Sequence, residues 1–223
     1  DWEKAQEEVR ALHGPIAYAL PFLKWSDGVQ VLKSRNSIHP DSLTCCFMTE
    51  DVAKTYLSCI YIGFHSKFRT SNKFSDRLKI LYKAKQFQQE EYLMLQPFRK
   101  LMKDGFACNI ALDGEPVHIV WFYPRILEIA ADIPEMHVLF GLLGTQSIHP
   151  EIFTNIQKEN LNNVEFWGNE SNFERRSELT QTECVLKAQQ EVFLKDAKVH
   201  LDTWSIRSVI PACFGLLGMG LNV

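Results

Sequence analysis

The chain has 223 residues, 46% of them hydrophobic and 23% charged, a balance able to bury the core of one large domain or of one domain with an insertion. A net charge of −3 excludes a globally basic nucleic-acid binder, so any positive surface for DNA must be local. No apolar run approaches the roughly 20 residues of a membrane-spanning helix, and the opening Asp-Trp-Glu-Lys is not a secretory leader.

Residues 1–12 place Trp2, Ala5, Val9 and Leu12 on one helical stripe, and His13-Gly14-Pro15 ends that helix. Ile16 to Trp25 reads as a buried strand in which Pro21 marks an edge or a bulge. Asp27-Gly28 is a turn signal. Leu43–Met48 and Leu57–Phe64 are two further strand-like runs, and Ser66–Ser75 is a basic, polar loop. Ser75 can cap a long helix from about Asp76 to Lys103, with Leu81, Ala84, Phe87, Leu95, Phe98 and Met102 on its apolar face and Pro97 as a kink.

Phe106–Leu112 and Val117–Tyr123, joined by Asp113-Gly114, predict a hairpin. Ile126–Ala131 fits a buried strand or the start of a helix. Asp132-Ile-Pro-Glu135 has the form of a helix N-terminus continuing to about Leu143. Residues 145–176 are polar and rich in Asn. Thr180-Gln-Thr-Glu183 is a capping box that opens a second long helix, to about Trp204. The tail Phe214–Val223 is Gly/Leu-rich and uncapped, and is expected to be a chain cut short. The six scattered cysteines contain no Cys-x-x-Cys pair and read as reduced core residues of an intracellular protein.

Three strands, a long helix, further strands and a helix give an α/β fold: an RNase H-like mixed sheet with flanking helices and a helical extension. The core is expected over 1–144 and the insertion or helical extension over 145–223.

Two acids stand at the exits of buried segments, Asp27 after Ile16–Trp25 and Asp132 after Ile126–Ala131. Two-metal phosphoryl transfer needs carboxylates converging in this way, because hard Mg²⁺ ions take oxygen ligands. Each also has a local reading, Asp27 as a turn residue and Asp132 as a helix cap. Lys67, Arg69, Lys73 and Arg77 lead the most basic stretch and are the candidate nucleic-acid contacts, with Phe68 and Phe74 interleaved for base stacking. A solvated charged surface is the other reading of that stretch.

Trp25-Ser26-Asp27-Gly28-Val29, then Ile38-His39-Pro40 and Leu43-Thr44, resembles the first catalytic block of the fungal Plavaka transposases, relatives of the CACTA cut-and-paste elements. Leu95-Gln-Pro-Phe98, Val117–Tyr123-Pro124 and Ile129-Ala-Ala-Asp132-Ile-Pro-Glu135 resemble the second block, and Trp204 to Phe214 the segment that follows. The resemblance implies DNA strand cleavage and transfer, DNA as partner, a nuclear location, and Asp27 and Asp132 as the first two acids of a DDE set holding Mg²⁺ or Mn²⁺. Two departures accompany it. His149-Pro150-Glu151-Ile152 stands where the family has Cys-Pro-x-Cys, which leaves too few ligands for tetrahedral zinc. The family's third acid lies beyond the Ala-Phe segment and has no counterpart here, so the set is expected to be incomplete or inactive in this chain. The alternative is a non-catalytic nucleic-acid-binding or protein-interaction domain.

Overall fold

The structure, a computed structural model, describes residues 2–26, 29–30, 37–55, 58–66, 74–111 and 116–216. The chain divides into two compact units, one of residues 1–65, 93–130 and 215–219, the other of residues 66–92, 131–214 and 220–223.

The first unit is built on a mixed sheet. Helix α1 (Trp2–His13) leads into β1 (Ala17–Ser26), followed by β2 (Val29–Gln30), β3 (Ser37–Cys45), a short α2 (Glu50–Ala53) and β4 (Cys59–His65). Helix α3 (Asp76–Asp104) then precedes β5 (Phe106–Ile110) and β6 (His118–Ala130). Strand β3 joins β1 to β4 and also pairs β2, all antiparallel. On its other side β1 pairs β6 in parallel, and β5 pairs β6 antiparallel. Three antiparallel strands, a helix, and a strand returning parallel beside the first is the RNase H-like arrangement. The segment Ile126–Ala130, open between strand and helix, is the end of β6.

The buried residues of β1 change parity in mid-strand. Ala17 and Ala19 are buried on one face, and Phe22, Lys24 and Ser26 on the other. Helix α1 covers the first set with Ala5 and Val9, in a cluster completed by Tyr123. The amide of Gln6 also stands in for a missing strand. Its Nε2 donates to Ala17 O, and its Oε1 accepts from Ala19 N. That support falls where β1 lacks β3, whose pairing begins only at Phe22. Pro21 therefore removes no bond from the β3 ladder, and the register with β6 shifts between Phe22 and Leu23. The second set meets α3, where Phe22, Leu43, Leu95, Phe98, Ile126 and Leu216 form a core. Full burial of each such side chain contributes about 1.5–3 kcal/mol. Helix and sheet meet closely there, since a Cβ on Gly63 of β4 would lie 2.1 Å from Met94 Sδ.

Strand β3 begins at Ser37, six residues before the expected Leu43, and buries at its middle the charged Asp41, which an apolar pattern does not register. Leu12 is 72% exposed and outside the core that Ala5 and Val9 enter. The cysteines are all free, but only Cys213 is buried and Cys46 is exposed, so core placement holds for fewer of them than expected.

The second unit contains α4 (Ile133–Leu139), α5 (Val164–Trp167), α6 (Glu178–Gln190) and α7 (Leu194–Asp202). The single long helix expected after Thr180 is two helices, broken at Glu191–Phe193 where Val192 and Phe193, weak helix formers, are exposed. Its true cap is Ser177, whose Oγ accepts from Thr180 N. Helix α4 stops at Leu139 rather than continuing to Leu143, with Gly141 at φ 65°. No helix among the described residues is long and apolar enough to cross a membrane.

Candidate functional site

The strands expected to carry the two acids are neighbours. The parallel ladder ends with the pair Trp25 and Ala130, the last residue of β6 and the last but one of β1. Asp132 stands two residues beyond Ala130 and is exposed. It caps α4, with Oδ1 accepting from Glu135 N at 2.7 Å. Asp27, two residues beyond Trp25 in the sequence, lies outside the described residues, as do Lys67, Arg69 and Lys73 and the turn Asp113-Gly114. Arg77 is in α3, but its side chain is not among those described. His137 is buried and pinned between two backbone carbonyls, Ile133 O and Pro150 O, each 2.7 Å away.

A polar constellation that the sequence did not announce lies under the second half of β1. Lys24 and Asp41 are both fully buried, with Lys24 Nζ donating to Asp41 Oδ1 at 2.9 Å. The other Asp41 oxygen lies 2.9 Å from His65 Nε2. A carboxylate paired with an ammonium only accepts, so this ring nitrogen carries a proton. The sheet register assembles the group: Ser26 pairs with Asp41 across β1 and β3, and Asp41 with Gly63 across β3 and β4, two residues before His65. Lys24 supplies a cation to Asp41, so the buried carboxylate is compensated within the sheet. The inward parity of Lys24, between Phe22 and Ser26, could have exposed the pair.

The His149-Pro150-Glu151-Ile152 segment is held by a guanidinium. Arg176 is 4% exposed. Its Nε donates to Thr154 O at 2.9 Å and Glu151 O at 3.2 Å, its Nη2 to His149 O at 3.0 Å, and its Nη1 to Trp204 O. Burial pushes Arg176 down to about 10, against the opposing pull of Glu151, so it remains charged at neutral pH. Burial, and then the Arg176 charge, hold His149 below the usual imidazole range, opposed by a hydrogen bond to Asp202 backbone and by Glu159.

The unfolded chain takes up the His149 proton near pH 6.5, and the folded chain only at lower pH. The stability this residue contributes is therefore present above pH 6.5 and is lost as pH falls toward the folded value. Urea midpoints measured at neutral and mildly acidic pH should fall less for His149→Gln than for the unaltered chain. Equal acid losses in the two would contradict this reading.

No family model matches the chain, and no curated protein matches it.

Proposed function

We propose that the chain is a nucleic-acid-processing RNase H-like domain of transposase descent, whose ancestral chemistry is metal-dependent cleavage and transfer of DNA strands. The observation that supports this reading most is the register of β1 and β6. Their paired ends, Trp25 and Ala130, are each followed after two residues by an acid, Asp27 and Asp132. Carboxylates of this type suit the hard ions Mg²⁺ and Mn²⁺. Bound there, such an ion would activate a water and neutralise charge on the phosphate under attack. Oδ1 of Asp132 accepts from Glu135 N, so an ion would take its other carboxylate oxygen. By the same resemblance the partner is DNA and the place of action the nucleus.

The test is cleavage of a linear DNA duplex with Mg²⁺ or Mn²⁺. The incomplete acid set predicts weak cutting, which should need the ion and disappear in Asp27→Asn and in Asp132→Asn, while DNA binding persists in both. The cap at Asp132 favours a second reading, a non-catalytic binding domain, because a helix N-terminus explains that acid without chemistry. DNA binding without metal-dependent cutting would select the second reading. Absence of both would remove the first and leave a protein-interaction role.

A further inference from the structure

The first half of α3 and the residue two positions before it carry an exposed aromatic pair within the most basic stretch of the chain. Phe74 and Tyr82 are stacked, with ring centroids 5.4 Å apart and planes 17° from parallel. They are 39% and 47% exposed, and Leu78, one turn before Tyr82, is exposed as well. A core pair would bury its rings, whereas these keep ring surface in water.

Lysines flank them. At about 100° per residue, Lys79 and Lys85 project about 60° to either side of Tyr82 on the helix. Lys83 and Lys85 are exposed and form no ion pair among the described residues. Lys79 leans on Asp76, with Nζ 2.9 Å from Oδ1. From residue 74 to residue 85 there are four basic residues and one acidic, in a chain of net charge −3, and three more basic residues precede them in sequence.

We infer that this face of α3 is a platform for single-stranded nucleic acid. Bases stack on Phe74 and Tyr82, while Lys79, Lys83 and Lys85 meet the phosphates. Ring faces select the single strand, because an unpaired base offers a π-surface that a duplex keeps inside its own stack. Lysines alone would hold any polyanion, an acidic peptide included. This binding does not depend on the strand-cleavage reading and uses neither Asp27 nor Asp132.

The experiment is fluorescence anisotropy of a labelled oligothymidylate of about 20 nucleotides with the whole chain, titrated over a range of salt. Affinity should fall as salt rises. Tyr82→Ala should weaken binding roughly five- to a hundredfold with the salt slope unchanged, and Tyr82→Phe should restore it. Lys83→Gln with Lys85→Gln should flatten the logarithmic slope by about 0.7 for each phosphate that a lysine no longer neutralises. Asp27→Asn and Asp132→Asn should bind as the unaltered chain does, so failure of cleavage and failure of this platform are separately visible. Both ring substitutions lie at an exposed position, and an unchanged circular dichroism spectrum confirms that the fold is kept. Tighter binding of duplex or of polyglutamate, an ineffective Tyr82→Ala, or no salt-sensitive binding would each overturn the inference.

Discussion

Replacing Asp41 with asparagine is expected to lower the stability of the first unit by about 3–5 kcal/mol, the cost typical of breaking a buried ion pair from one side. Lys24 keeps its charge at zero exposure while losing the anion 2.9 Å from its ammonium. The amide can keep the hydrogen bonds, its oxygen accepting from Lys24 and its NH₂ donating to His65 Nε2 once the ring proton moves to Nδ1, but it brings no charge to set against the buried ammonium. Urea denaturation followed by tryptophan fluorescence would show the loss as a lower midpoint. The paired substitution Lys24→Met with Asp41→Leu removes both charges and should recover much of it, because apolar side chains of similar volume are tolerated where an ion pair was buried. A cost below about 1 kcal/mol for Asp41→Asn would mean that Lys24 is solvated or paired well enough without Asp41.

In the second unit the largest expected effect is at Arg176. Arg176→Met should cost about 3 kcal/mol or more, since hydrogen bonds to a charged donor contribute about 1.5–3 kcal/mol each and the carbonyls left behind cannot be removed by mutation. Four carbonyls, from His149, Glu151, Thr154 and Trp204, lose their donor together. Arg176→Lys should rescue little. An ammonium has three donors at a single point, and these carbonyls need the planar fork of a guanidinium. Hydrogen exchange would locate the loss in the segment 149–154 and around Trp204. Uniform loosening of the whole chain would argue against so local a role.

What the sequence made legible is what its local chemistry determines. Helix α1 with Ala5 and Val9 inward, the 29-residue α3 and the cap at Asp132 each depend on residues a few positions apart, and each stands where the pattern put it, Leu12 of the α1 stripe excepted. The start of β3 was hidden in part because Asp41, buried at its middle, counts as polar in any apolar pattern. Lys24 and Asp41 are 17 positions apart, and only the pairing of β1 with β3 brings them together. Arg176 was visible as a residue but not as a clamp, because its partners are backbone carbonyls 22 to 28 positions away. Ser177 displaced Thr180 as a cap because both start plausible helical turns, and the competition is decided by the bond Ser177 Oγ makes to Thr180 N.

Leu216 belongs to the same core as Phe22. A ribosome adds about 5–20 residues per second, so roughly 10–40 s pass between the synthesis of these two partners. For about half of that time the strand bearing Phe22 lacks its parallel neighbour β6 as well. The nascent chain thus carries an unfinished sheet edge until β6 is made and an open apolar cleft until Leu216 is, and it is in that interval that a chaperone, or a mispairing with another nascent copy, would have its opportunity.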